Sequence, residues 1–210
     1  MIKAIIFDMD GVLIEAKEWH YEALNRALRL FGYEISLYEH LTTFNGLPTK
    51  KKLEMLSVTS DLPVELHTFI NEIKQIYTME IVHSQCKPRF EHEYALSRLK
   101  AEGYRLAVCS NSIRTTIEVM MSRAALDGYL DFVISNQDVV RAKPDPEMYR
   151  TAITRLGLEP TDCLVVEDNE NGIRAARGAG AHVMEVREVS DVNYRAIKQR
   201  IAEIGDEVTP

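Results

Sequence analysis

Short apolar runs rich in β-branched residues, alternating with amphipathic stretches, leave this chain few folds to choose from. The runs at 3–7, 105–109, 132–135, 163–166 and 182–186 are each followed by turn or polar residues and read as buried strands. Between and after them, segments 90–102, 113–125, 146–156, 172–179 and 193–204 space their apolar residues three and four apart, the period of a helix packed on one face. Strand–helix–strand repetition implies right-handed crossovers and a parallel sheet, so an α/β fold is expected. The alternation lapses once. From 16 to 83 the pattern is helical throughout (Trp19, Ala23, Ala27, Leu30; then Leu66, Phe69, Ile70, Ile73, Ile76, Tyr77), with no convincing strand. A helical insertion after the first strand is therefore expected at 16–83, and an α/β core from 1–15 and 84–210. Hinges at 11–15 and at the turn-prone 84–88 would set the small helical unit over the sheet.

Composition narrows the partners. The chain has 210 residues, 46% of them hydrophobic, enough for one domain and a small second unit. A net charge of −7 is the wrong sign for a general binder of phosphate backbones, so no nucleic acid partner is expected. Apolar runs such as 4–7 and 163–166 fall far short of the ~20 residues that cross a bilayer, and no membrane partner is expected. Met1 leads straight into a strand-like run with no signal-peptide pattern, so the expected location is cytoplasmic. Cys86, Cys109 and Cys163 are odd in number and far apart, which suggests reduced thiols and neither a disulfide framework nor a zinc site. Nothing in the sequence points to a protein partner.

An open parallel sheet binds ligands beyond the carboxyl ends of its strands, so the residues just after each strand are the informative ones. The first strand runs into Asp8-Met9-Asp10-Gly11, whose i, i+2 spacing in an extended segment points both carboxylates to one side. The second runs into Ser110-Asn111-Ser112, hydrogen-bonding groups near a helix start, where backbone N–H groups favour an anion. A later strand runs into Glu167-Asp168-Asn169. Carboxylates crowded at one edge call for a cation, and an all-oxygen donor set with room for water and substrate favours Mg²⁺. Lys143, in the turn Lys143-Pro144-Asp145-Pro146, adds positive charge. A metal and a lysine over a carboxylate pair suit a phosphoryl group.

Each element also has a plain structural reading. An Asp-x-Asp pair occurs in solvated turns, Ser110 could serve only as a cap for the helix near Ile113, and Lys143-Pro144 or Glu167-Asp168 could simply lead into helices. An EF-hand is excluded, because Gly11 is fourth in the would-be loop and not sixth. The small-residue run 178–181 follows a helix and precedes a strand, and so reads as a helix end and not as a dinucleotide fingerprint. What favours chemistry is that four such elements each fall at a strand end or a helix start in one chain.

FDMDGVL at 7–13, VCSNS at 108–112, KPDPEMY at 143–149 and VVEDNENGIRAA at 165–176 together resemble, in order and spacing, the four motifs of the haloacid dehalogenase (HAD) superfamily. The closest likeness is to its phosphatase and β-phosphoglucomutase-like branch. That resemblance implies a Rossmann-like core with a mobile helical cap. It implies that Asp8 is the nucleophile that forms an aspartyl-phosphate and that Asp10 is the acid and base. It further implies Mg²⁺ held by the Asp8 and Asp168 carboxylates and the Asp10 carbonyl, with Glu167 direct or through water. Ser110 and Lys143 would bind the transferring phosphoryl oxygens, Lys143 would also restrain the nucleophile, and Asn111 and Ser112 would add contacts to phosphate. In the cap, the resemblance directs attention to His20 and to the segment holding Asn45, Gly46 and Lys50. For His20 a core or surface role weighs equally. Of the adjacent lysines 50–52, at most one should reach substrate, since neighbours on a helix diverge.

The activity implied is a Mg²⁺-dependent phosphatase acting on a small phosphorylated metabolite such as a sugar or polyol phosphate. A phosphomutase is the alternative, but Ala16 stands where that branch usually carries a hinge threonine, and Leu47-Pro48-Thr49 replaces its cap arginine segment. Asp10 disfavours dehalogenase and phosphonatase chemistry, and the intact set of acids and lysine disfavours a non-catalytic phospholigand-binding module.

Overall fold

The computed structural model describes residues 1–44 and 46–208. These fall into two compact units, one formed by Met1–Glu15 with Lys87–Pro210 and the other by Ala16–Cys86.

The first unit is built on a parallel sheet of β1 (Ala4–Phe7), β2 (Arg105–Cys109), β3 (Phe132–Ile134), β4 (Cys163–Glu167) and β5 (His182–Glu185), in the order β3-β2-β1-β4-β5. The chain steps outward on one side of β1 and then crosses to the other, which opens a ligand crevice beside the central strand. β1 and β4 are buried on both faces, which explains why their sequences are continuous apolar runs and not alternating ones. Helices α5 (Phe90–Ala101), α6 (Arg114–Arg123), α7 (Glu147–Leu156), α8 (Glu170–Gly178) and α9 (Tyr194–Val208) connect and cover the strands. One face packs Ala4, Ile6, Cys163 and Val165 against Met148, Ala152 and Ile153 of α7 and Ala175 and Ala176 of α8. α7 stops where Gly157 adopts φ 69°, a left-handed conformation that suits glycine at a helix end.

Several helix limits differ from expectation by two residues or more, among them the end of α6 at Arg123. α8 starts at Glu170 and not near 172, because the Asn169 side chain caps it by accepting from Gly172 N at 3.1 Å, a turn before the apolar stripe begins. α9 runs on past Ile204 to Val208.

The second unit holds α1 (Lys17–Arg29), α2 (Leu37–Thr42), α3 (Thr49–Thr59) and α4 (His67–Gln85). α4 extends into the stretch read as a turn, so the division between units falls after Cys86. Leu24, Leu28, Leu53, Leu56 and Ile70 form its core. Inside it, buried Asn25 bonds both backbone groups of Ile35, donating to O and accepting from N at 2.9 Å each. A reciprocal capping box of Ser36 and Glu39 starts α2. Among the described residues no helix is long and apolar enough to cross a membrane.

Candidate active site

Register decides what meets at the sheet edge. Phe7 pairs with Val108 on one side and Val166 on the other, so Asp8, Cys109 and Glu167 stand level at the ends of three adjacent strands. Asp8 N donates to Val166 O at 3.0 Å, which carries the ladder one residue past β1. The chain then turns tightly: Leu13 N and Ile14 N both donate to Met9 O at 3.0 and 2.9 Å, and Gly11 takes φ 90°, a conformation costly for any residue with a Cβ.

Lys143 closes the group. Its ammonium donates to Asp8 Oδ1 at 2.6 Å, Glu167 Oε1 at 2.7 Å and Cys109 O at 2.8 Å, one acceptor from each strand end. All three of its N–H donors are thereby used, on a side chain only 3% exposed. Burial opposes the charge, but Asp8 and Glu167 outweigh it and raise the lysine above its ordinary range, so Lys143 remains an ammonium. Asp8 is pushed well above the usual carboxylate range by burial and then by Glu167, Asp168 and Asp10, with Lys143 opposing. One ammonium among this many carboxylates leaves excess negative charge.

The loop that delivers Lys143 is tied down along its length. Asp138 Oδ2 accepts from Ser135 N and Oγ at 2.7 and 2.6 Å, and both Asp138 oxygens accept from Arg114 Nη2. Although burial pushes Asp138 up, these bonds hold it at about 2. Asn111 Nδ2 donates to Lys143 O at 3.3 Å and its Oδ1 accepts from Lys143 N at 3.1 Å, so this carboxamide braces the lysine's main chain.

Ser110 is buried, and its Oγ accepts from Ser112 N at 3.1 Å while its own N donates to Ile134 O. It does not cap α6, whose N-cap position is Ile113, a residue with no side-chain cap to offer. Asp10 is half-buried, and its Oδ2 accepts from Ser112 Oγ at 3.3 Å.

Glu167 is the last residue of β4 and fully buried. Its Oε1 accepts from Lys143 Nζ and from Tyr149 OH at 2.6 Å, and its Oε2 from Asp168 N at 3.2 Å and Asn169 Nδ2 at 3.3 Å. Asp8, Glu167 and Asp168 each bring a carboxylate oxygen within 4.8 Å of the others. This all-oxygen set fits a hard divalent cation such as Mg²⁺. Because Glu167 already accepts four hydrogen bonds, the carboxylates better placed to take a metal directly are Asp8 and Asp168.

Of the candidates in the helical unit, His20 lies on α1, half-buried, with Nδ1 3.3 Å from Lys74 Nζ. Lys50 is exposed on α3, and of the three adjacent lysines Lys52 is the buried one, since it shares a face with Leu53 and Leu56. Gly46 takes φ 70°, and Asn45 lies outside the described residues. Tyr149 and Gly172 lie inside the motifs at 143–149 and 165–176 but do not stand out within them, because one reads as core on the face of α7 and the other as a helical glycine. The cysteines are free and buried, and burial pushes the Cys109 thiol up to about 12, so it is no nucleophile despite its place at a strand end.

Known proteins fit this arrangement. The family model of the haloacid dehalogenase-like hydrolases matches residues 5–186, and the chain belongs to that family. It is 28% identical to the phosphorylated carbohydrates phosphatase of Thermotoga maritima, over 85% of this chain and 82% of that protein. It is likewise 28% identical to the fructose-1-phosphate phosphatase YqaB of Escherichia coli, over 87% of this chain and 95% of that one. The crystal structure of β-phosphoglucomutase from Clostridium difficile superposes with a TM-score of 0.84 at 20% identity, covering 97% of this chain and 98% of the other, and shares the fold.

Proposed function

We propose that this protein is a Mg²⁺-dependent phosphatase of the cytoplasm that hydrolyses a small phosphorylated metabolite, a sugar or polyol phosphate, through an aspartyl-phosphate on Asp8. The observation that supports the reading most is the placement of Lys143 Nζ between Asp8 and Glu167 at the ends of parallel strands. Family membership and relatives named for phosphorylated carbohydrates and fructose-1-phosphate support the substrate class.

The division of labour follows from chemistry. Asp8 attacks phosphorus with one carboxylate oxygen while Lys143 fixes the other, so the nucleophile is held in one rotamer. Asp10 gives its proton to the departing sugar oxygen and then takes one from water. A second carboxyl is needed, because a phosphorylated Asp8 cannot also act as base. Ser110 and Ser112 offer hydroxyl and backbone donors to the phosphoryl oxygens, and Asn111 serves the same end by bracing Lys143. The Asp8 and Asp168 carboxylates and the Asp10 carbonyl would hold Mg²⁺, with Glu167 supporting through its neighbours. The bound ion would supply positive charge opposite the phosphoryl oxygens. His20, Asn45, Gly46 and Lys50 are proposed as contacts to the sugar portion.

A phosphate-release screen across sugar, polyol and nucleotide monophosphates, run beside Asp8→Asn, tests the reading. Release from sugar or polyol phosphates that disappears in Asp8→Asn is the expected result, whereas a flat profile on every ester would point to a binding module.

A further inference from the structure

Glu167 is gripped from several sides, and two of the gripping residues have no place in the chemistry above. Tyr149 is fully buried on α7, and its hydroxyl donates to the same Oε1 that receives Lys143. Its ring lies 4.7 Å from the Lys143 ammonium, so the tyrosine touches both halves of the ion pair. From the other side, Gly172 of α8 leaves the carboxylate its space: a Cβ there would stand 1.8 Å from Oε1 and 2.0 Å from Cδ. α7 and α8 thus pin one carboxylate between a hydroxyl and a bare backbone.

Two donors on Oε1 set the direction in which Glu167 presents its charge, and that direction sets where Lys143 sits against Asp8. We propose that Tyr149 is a positioning residue for phosphoryl transfer, acting through Glu167 to hold the Lys143 ammonium on Asp8, and that Gly172 serves the same carboxylate by leaving room for it. The proposal rests on the reading of Asp8 as nucleophile. Without the hydroxyl, Glu167 Oε1 keeps only Lys143 while Oε2 keeps the longer bonds from Asp168 N and Asn169 Nδ2, so the carboxylate tilts, the ammonium shifts with it and Asp8 is held less closely. Lost alignment lowers the rate of attack more than it lowers affinity for the rest of the substrate.

Tyr149→Phe isolates the hydroxyl, since the ring that fills the core and faces Lys143 remains. The expected result is a fall in kcat of about tenfold, the scale of one hydrogen bond to a charged group, with KM for the best ester within about twofold of wild type. Gly172→Ala reaches Glu167 from the opposite side and must displace its buried carboxylate, so its unfolding midpoint is measured beside its kinetics, and Tyr149→Phe carries the test alone if the alanine variant does not fold. Folded, it should show the same split between kcat and KM. Because both changes act through one carboxylate, the double variant should lose little more than the worse single one. Wild-type kcat in Tyr149→Phe, KM rising in step with the loss of kcat, or fully additive losses would each overturn the assignment. Asp8→Asn in the same assay separates the two levels. If it is inactive while Tyr149→Phe turns over normally, only the role of Tyr149 falls; if Asp8→Asn is active, the phosphatase mechanism falls first.

Discussion

Asn111 and Lys143 are joined at two points, carboxamide to main chain, so the residue after the Ser110 strand end fixes the backbone of the residue that neutralises Asp8. Asn111→Ala should remove both bonds and leave a half-buried N–H and C=O to find water. We expect a stability loss of about 2 kcal/mol in urea titrations and a lower kcat. Unchanged stability with a raised KM would return Asn111 to the role of a phosphate contact.

A chelator should stop phosphate release and added Mg²⁺ should restore it, since the carboxylate cluster carries more negative charge than Lys143 balances. Asp168→Ala should raise the Mg²⁺ concentration for half-maximal activity at least about tenfold. Full turnover in chelator would remove the metal from the mechanism.

Phosphatase and phosphomutase share the first half-reaction and part at the fate of the aspartyl-phosphate. Turnover in ¹⁸O-labelled water should place one solvent oxygen in each phosphate released, with no need for an added sugar bisphosphate. Isomerised sugar phosphate with little labelled phosphate would decide for the mutase.

Asn25→Ala in the helical unit strips both backbone groups of Ile35 of their partners in a buried setting. A loss of about 2 to 3 kcal/mol is expected from chemical denaturation of that unit, against under about 0.5 kcal/mol for an exposed control such as Glu65→Ala.

His40 is buried, and burial followed by the charge of Lys52 takes its pKa from the ordinary 6.5 down to about 4, with His20 and Lys74 adding to the effect and the Lys17 carbonyl opposing it. The folded state then binds this proton less readily than the unfolded one. Stability from this group is complete above pH 6.5, falls as pH drops towards 4, and levels off below that, by up to about 3 kcal/mol. His40→Gln should flatten this slope between pH 7 and 5; equal slopes in both proteins would sink the assignment.

β1 and β4 were legible because they are buried throughout and must be written in unbroken apolar letters, whereas the half-exposed β5, which opens on His182 and closes on Glu185, was marked by its β-branched middle and the turn after it. The helical insertion was legible because its period never changes. Asp8 and Asp168 stood out because a charge placed just past an unbroken apolar run has no packing reason to be there, and Lys143 because it stands in a proline-rich turn ahead of a helix. Tyr149 was hidden by the opposite logic: on α7 it falls in the stripe with Met148, Ala152 and Ile153, so its hydroxyl is invisible against its ring. The bracing role of Asn111 depends on a cross-loop approach that no local spacing encodes. Lys50 drew attention as the first of three equivalent lysines, and only the register of α3 distinguishes the buried Lys52 from it.

The central position of β1 has a consequence for biosynthesis. Ala4 pairs with Arg105 and with Cys163, so the strand bearing Asp8 is made before either neighbour and waits for β4 until β2 and β3 have been made. Throughout that interval an apolar strand has at least one open edge, a template for pairing with other nascent chains. Assembly of the sheet is therefore governed by contacts distant in sequence, which makes folding slow relative to a helical protein of this size. β4 is the strand that sets Glu167 and Asp168 next to Asp8, so the carboxylate cluster cannot assemble before residue 168 has been made.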